Sequence, residues 1–447
     1  MKNYLLCFLL LLVSSYNYAQ SRFLDSTFGN DGKVVTDFGS EEVLNSIAFQ
    51  HDGKIVAGGY YDLIKVISFD EIACMLARYK TNGELDSSFG KNGFAYFKPV
   101  FATLKVISIQ ADDKIVGAGY AYTTDQGPAS IILLRCKKNG ALDSSFGTNG
   151  IVYFGDLKTN FIGTSMAVQP DGKFVVAGFN NTINSWDSSF VLAARFNNNG
   201  TVDSGFGDNG SKKIAIGFQA YATGVVVNST GEIIVSGYTT LKQNTNLTQP
   251  VLADFTSSGE LNIQFGKNGV VTFNAGNNAS FTTLALTHDE KIIAGGYIQV
   301  SDTYQDYNFL LMQYNSNGKK DSSFGMNGTI NSDLGYSDQI ASVVIQPDDK
   351  IVAGGRSFSN ATGQSYFALS RFNSNGKIDK SFGKQGEIFT AFRGYDLLRQ
   401  ILLQPDGKIV AGGISSGIRT DYGDFALSRY ITNEFIAKPP LAATPTK

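Results

Sequence analysis

The sequence predicts an all-β fold: a seven-bladed β-propeller of four-stranded blades, closed by the N-terminal strand joining the C-terminal three. Three observations predict it. A decapeptide of the type QPDGKIVAGG recurs seven times, at 50–59, 110–119, 169–178, 228–237, 287–296, 346–355 and 404–413. The steps between copies are 60, 59, 59, 59, 59 and 58 residues, a period that signals an array of one supersecondary unit. The order of modules adds the third: a lone LDSTFG segment opens the chain at 24–38, and the last repeat, 397–430, ends without one. Four-stranded units arranged radially, with the two chain ends sharing a blade, describe a closed propeller. An open β-solenoid is the alternative, but it would leave the first segment unpaired.

Taken in order, residues 1–20 read as an export signal, with Lys2, an apolar run Leu5–Val13 and a small-residue cleavage zone near Ala19. The run is too short to span a bilayer, and no other segment offers a membrane span. Residues 21–432 form the repeat domain. In each repeat an inner strand such as 43–50 precedes the decapeptide and is apolar on both faces, as a sandwiched strand must be. The Pro-Asp-Gly turns the chain, with Gly in the left-handed position. Asp113, Glu290 and Asp349 hold that slot in three copies, where each costs about 1 kcal/mol relative to glycine. The second strand ends in glycine in every copy, Gly59 to Gly413, which predicts close approach of another backbone. After a variable loop comes a third strand carrying Arg78, Arg135, Arg195, Asp254, Gln313, Arg371 or Arg429 at one slot. An Asn-Gly or Ser-Gly turn leads to the fourth, outer strand, which the LDSSFG segment and the apolar residues after it are expected to supply. Residues 433–447 are Pro/Thr-rich and read as a disordered tail.

The LDxSFGxNG module, the QPDGKIVAGG decapeptide and the near-sixty period resemble the delta-60 repeat family of bacterial exported proteins, over nearly all of residues 24–430. A looser resemblance is to propellers with NHL-type repeats. The likeness implies a propeller-like array and no established activity. The fourth copy departs furthest, with Asp254, Asn262 and NSTGEIIVSG.

Composition narrows the function. The formal net charge is −2, which leaves no electrostatic footprint for nucleic acid. The mature chain keeps two cysteines, Cys74 and Cys136. They stand on the same strand of adjacent repeats, offset by ~17 Å along it, too far for a disulfide. His51 and His288, the two histidines, both replace the turn proline and read as structural filler. No Ser-His-Asp, zinc or phosphate-loop pattern is present, nor the ligand spacing of a dedicated calcium loop. No catalytic residue, metal or cofactor is therefore predicted.

Arg78 and Asp86, Arg135 and Asp143, Arg195 and Asp203, and Arg371 and Asp379 are each eight apart. They would face each other across a three-residue bulged turn. Across a strict two-residue turn they would point to opposite faces and need partners in the next blade. Structural ion pairs are expected, the alternative being a ring of anion-binding arginines. Ligand recognition is assigned to the variable loops, where Tyr61, Tyr122, Trp186, Tyr304, Tyr307, Tyr366 and Tyr422 gather by sequence. The predicted function is that of an exported, monomeric, non-enzymatic propeller binding a protein or glycan in the periplasm, at the cell surface or outside the cell. The alternatives are a polysaccharide lyase, a glycosidase, a quinone-dependent dehydrogenase, or a structural module of a surface assembly.

Overall fold

The computed structural model describes residues 23–62, 72–98, 101–122, 127–156, 158–182, 189–240, 247–301, 306–417 and 423–432. The predicted export signal and tail lie outside these. So do Trp186, Tyr304 and Tyr422.

Twenty-eight strands are described, and no helix. The first, β1 (Lys33–Thr36), is short. The next four, β2 (Glu41–Phe49), β3 (Ile55–Asp62), β4 (Ile72–Tyr79) and β5 (Phe94–Phe97), form an antiparallel sheet in chain order. The pattern repeats in β6 (Ala102–Ile109), β7 (Ile115–Tyr122), β8 (Ala129–Cys136) and β9 (Ile151–Phe154). It repeats again in β10 (Thr159–Val168), β11 (Phe174–Thr182), β12 (Ser189–Phe196) and β13 (Ser211–Ile214). Next come β14 (Gln219–Val227), β15 (Ile233–Thr240), β16 (Thr248–Phe255) and β17 (Val270–Thr272). A single parallel partnership, Ser189 with Gln219, joins these last two units into one eight-stranded sheet. Two more four-stranded sheets follow: β18 (Ala279–Leu286), β19 (Ile292–Ser301), β20 (Asp306–Tyr314) and β21 (Thr329–Ser332), then β22 (Ser337–Ile345), β23 (Ile351–Phe358), β24 (Ser365–Phe372) and β25 (Glu387–Thr390).

The last unit is β26 (Gly394–Leu403), β27 (Ile409–Gly417) and β28 (Asp424–Tyr430). Its fourth strand is β1, antiparallel to β28 from Lys33↔Ser428 to Thr36↔Phe425. The first and last sheets also pack face to face. Leu44, Ile47, Ile55, Ala57 and Met75 share one apolar cluster with Val410, Phe425, Leu427 and Phe28. Each of these side chains other than Ala57 contributes about 1.5–3 kcal/mol on full burial.

Local chemistry explains the repeat. The decapeptide turn is a three-residue loop: Gln50 N donates to Lys54 O and Gly53 N to Gln50 O, both at 2.9 Å. Its last residue has positive φ, +80° at Gly53 and still +63° at Asp113 and Glu290 and +61° at Asp349. Every inner strand is bulged once at the same place, between Leu44 and Ser46 in β2 and between Leu398 and Gln400 in β26. The bulge turns a carbonyl toward the glycine that ends the decapeptide. A Cβ on Gly59 would sit 1.7 Å from Val43 O, and one on Gly413 2.1 Å from Leu397 O. The close backbone predicted there thus belongs to the inner strand of the same sheet.

LDSSFG is not a strand. Asp86 Oδ1 accepts bonds from Ser88 N (3.2 Å) and Ser88 Oγ (2.7 Å), and Phe89 N donates to Asp86 O at 3.0 Å. These local bonds satisfy the backbone in a compact turn, and the outer strand is reduced to the four residues of β5.

Candidate functional site

The LDSSFG turn and the arginine slot form one repeated device. Lys80 N donates to Glu84 O and Gly83 N to Lys80 O, the three-residue bulged form, so Arg78 and Asp86 face each other. Arg78 Nε lies 2.9 Å from Asp86 Oδ2; the separations are 2.9 Å for Arg135 and Asp143 and 2.8 Å for Arg195 and Asp203. Arg371 and Asp379 also lie 2.9 Å apart, but Arg371 Nε is poorly aligned for a hydrogen bond to that oxygen. Each guanidinium stacks on the phenylalanine of its own FG pair, 4.6–4.8 Å from the ring centroid at Phe89, Phe146, Phe206 and Phe382. Arg78 Nη1 reaches on to Lys138 O of the next sheet (2.6 Å), and Arg135 Nη1 to Asn198 O (2.7 Å). Burial pushes the Asp143 carboxyl up, but bonds from Ser145 and the charges of Arg135 and Lys114 more than offset it and hold it at about 2. All four arginines are buried against their aspartates, and Arg78 and Arg135 clamp sheet to sheet.

The aromatic set is divided. Tyr122 packs edge-on to Tyr120 (5.8 Å) and Tyr307 to Tyr297 (5.1 Å). Tyr61 stacks on Tyr96 (6.1 Å), and Tyr366 packs near Tyr336 (5.9 Å) and Phe389 (6.4 Å). Tyr61 and Tyr366 thus belong to clusters with outer strands.

The site that sequence reading missed is a central cavity of ≈ 320 Å³, lined by residues of β2, β6, β10, β14, β18, β22 and β26. The bulge residues of the inner strands line it: Asn45, Lys105, Thr164, Thr223, Thr282, Ala341 and Arg399. Where the side chain is short and polar it ties its strand to the next one. Asn45 Nδ2 donates to Leu104 O (2.8 Å), Thr164 Oγ1 to Ala222 O (2.9 Å), Thr223 Oγ1 to Phe281 O (2.8 Å) and Thr282 Oγ1 to Ile340 O (2.6 Å). Lys105 and Arg399 are too long for that role and supply charge to the cavity. A second hollow of ≈ 410 Å³ shares Thr282, Ala341 and Arg399 with it and adds Arg356 and Gln339.

Among the described residues, Lys105, Arg356 and Arg399 have no carboxylate at ion-pair distance. Arg356 Nε is buried without a hydrogen-bond partner. Arg399 is open to solvent and lines the cavity. Burial lowers its pKa, and neighbouring Arg356 lowers it further; burial and Arg399 do the same to Lys105.

Arg356 belongs to a second register-equivalent set, the residue after the decapeptide. The others are Tyr60, Tyr120, Phe179, Tyr238, Tyr297 and Ile414, all half-buried. Lys105 Nζ lies 5.6 Å from the Tyr120 ring centroid. Phe179 and Tyr238 flank Tyr221 at 4.9 and 5.0 Å. Burial raises the Tyr60 and Tyr238 hydroxyls to about 12, so both stay neutral. The signal was in the sequence: Lys105 and Arg399 align with threonines, and Arg356 with tyrosines.

Successive four-stranded antiparallel sheets whose inner strands share one cavity define a β-propeller repeat protein. Five segments, 110–146, 169–206, 288–324, 346–382 and 404–433, match the family described as "Domain of unknown function (DUF5122) beta-propeller". No curated protein matches the chain in sequence. Among solved structures, the polysaccharide lyase Uly1 is similar at 11% identity and a TM-score of 0.49, over 90% of this chain and 91% of that one. The GH93 α-L-arabinofuranosidase of Fusarium graminearum gives 11%, 0.46, 89% and 96%. The β-propeller domain of the Trilobed protease from Pyrococcus furiosus gives 9%, 0.44, 88% and 94%.

Proposed function

We propose that the seven four-stranded units close into a single ring, and that this exported propeller binds an acidic polysaccharide at the mouth of its axial channel. The observation that carries the reading is the group Lys105, Arg356 and Arg399, three cations without counter-ions beside a half-exposed aromatic collar. A guanidinium offers paired donors to a carboxylate or sulfate. A flat aromatic face suits the C–H face of a sugar ring. The cavity has the size of a pocket for one or two sugar units and is too concave for a flat protein surface.

Binding is favoured over glycoside hydrolysis because the described lining of the cavity holds no aspartate, glutamate or histidine. A glycosidase would need two carboxylates about 5–10 Å apart.

The test is calorimetric titration of the purified chain with polygalacturonate, a sulfated galactan and a neutral glucan. Binding of the acidic chains alone, lost in the Lys105→Ala/Arg399→Ala double variant, is the expected result. Equal binding of the neutral glucan, or a double variant that binds as well as the parent, would overturn it. New reducing ends or unsaturated uronate products would favour the enzymatic alternative.

A further inference from the structure

Three carboxylates meet where the two ends of the chain come together. Asp37 follows β1, Glu42 lies on β2 of the first sheet, and Asp424 opens β28 of the last. One oxygen of each lies within 4.8 Å of the others. Glu42 N also donates to Gly423 O at 2.9 Å, so the cluster spans the junction of first and last sheets.

Most of their other oxygens are engaged. Asp37 Oδ1 accepts Gly39 N (2.7 Å), Glu42 Oε1 accepts Ser40 N (2.9 Å), and Asp424 Oδ2 pairs with Arg393 Nη1. Glu42 is 0% exposed, yet its Oε2 has no hydrogen-bond partner. An isolated buried carboxylate oxygen is costly unless something positive meets it. Among the described residues Arg393 is the one cation paired with the cluster; its side chain is 48% exposed and it is committed to Asp424.

The arrangement is peculiar to this junction. The register aligns Glu42 with Ala102, Phe161, Ala220 and Ala279, and with Asp338 and Asp396 in later repeats. Asp338 and Asp396 place both oxygens: Leu334 N and Ser357 Oγ donate to the first, Phe392 N and Ser415 Oγ to the second. The slot of Asp424 holds Ala73, Ser130, Phe190, Gln249, Asn308 and Tyr366 elsewhere. No other described junction brings three acids to these slots.

We propose that Asp37, Glu42 and Asp424 bind a hard divalent cation of the calcium type, which staples the N-terminal segment to the last sheet and the last sheet to the first. An all-oxygen, carboxylate-rich donor set suits Ca²⁺, whose remaining ligands can be backbone carbonyls and water. The site is independent of the axial channel and of what binds there. Burial, together with the nearby charges of Asp424 and Asp37, pushes the cation-free Glu42 carboxyl up to about 8.

The experiment is thermal unfolding and calorimetry on the whole chain after chelation, titrated with CaCl₂ alone. One saturable site is expected, with Tm raised by about 3 °C at a hundredfold excess over the dissociation constant. Glu42→Gln and Asp37→Asn should lose the response. Without calcium Glu42→Gln should be as stable as the parent or more so, because it removes an uncompensated buried acid. That sign separates loss of a ligand from failure to fold, and Asp37 is exposed, so its variant leaves the core intact. A parent chain whose Tm ignores calcium would overturn the proposal, as would a response that survives in both variants.

Discussion

Arg429 Nε lies 2.8 Å from Asp25 Oδ2, although 404 residues separate the two along the chain. Arg429 also stacks on Phe28 at 4.6 Å and donates to Thr27 Oγ1 (3.1 Å) and, in the first sheet, to Thr81 O (2.5 Å). It is the same clamp that Arg78 makes with Asp86, Phe89 and Ser88 inside one repeat. At the chain ends it holds three segments together: the first module, the last strand and the first repeat.

Both partners are buried, Asp25 3% and Arg429 6% exposed. Removing one partner of such a pair costs about 3–5 kcal/mol. Arg429→Ala and Asp25→Ala should each destabilise by that order, and a double-mutant cycle should give a coupling well above 1 kcal/mol. Hydrogen exchange should rise first in β1 of these variants, while Arg78→Ala leaves β1 protected. Equal exchange of β1 in both would contradict the role given to the end-to-end clamp.

The glycine that ends each decapeptide should be irreplaceable. At Gly355 a Cβ would lie 1.9 Å from Gln339 O, and that carbonyl is fixed by the bulge. Gly355→Ala should cost about 3 kcal/mol, the upper range for overpacking, measured by denaturant unfolding. Gly363→Ala is the control for open space, since nothing lies within 4 Å of its Cβ position; its positive φ, +73°, should cost about 1 kcal/mol.

The fourth repeat reverses its charges as a set. Asp254 replaces the arginine, Asn262 the aspartate and Glu232 the lysine of the decapeptide. Asn262 Nδ2 donates to Asp254 Oδ2 (2.8 Å) and to Glu232 Oε1 (3.1 Å). Asp254 is 1% exposed, and burial, with a smaller push from Glu232, raises it to about 7. The folded protein therefore binds a proton that the unfolded chain gives up near pH 4. The stabilisation from that proton is full below about pH 4 and disappears as pH rises through 7. Asp254→Asn should flatten stability between these limits and raise Tm at pH 8. An unchanged pH profile would refute the assignment.

Asp113 holds a left-handed turn position at φ +63°. Its carboxylate accepts His51 N (2.9 Å) and pairs with Lys138 Nζ (2.6 Å) of the next turn. Lys138 is half exposed, so these bonds offset little more than the strain. Asp113→Gly should be neutral within about 0.5 kcal/mol, whereas Asp113→Ala keeps the strain, loses the bonds and should cost about 1 kcal/mol. Chemical denaturation of both variants checks the order.

At the central cavity, the salt dependence of polygalacturonate binding should weaken in Lys105→Ala and again in Arg399→Ala, because each cation removed means fewer counterions released. Thr223→Ala should leave that slope unchanged and reduce stability by about 1 kcal/mol, the worth of its bond to Phe281 O.

The sequence alone determined the four-stranded unit, the number of repeat copies, the left-handed slot of the decapeptide turn and the eight-residue spacing of Arg78, Arg135, Arg195 and Arg371 from their aspartates; the turn form that makes each pair face one another came from the structure. What the sequence determined follows from local chemistry repeated at a fixed period, since turn residues and strand alternation act within a few residues of each other. The tertiary structure decided what lies between copies. Lys105, Arg356 and Arg399 sit in different repeats, and only the packing of inner strands around one cavity brings them together. Asp37, Glu42 and Asp424 are likewise assembled by the meeting of chain ends, and packing divides Tyr61 and Tyr366, which join outer-strand aromatics, from Tyr122 and Tyr307, which join Tyr120 and Tyr297. Contacts made across hundreds of residues depend on how the sheets are stacked, and no local pattern encodes that.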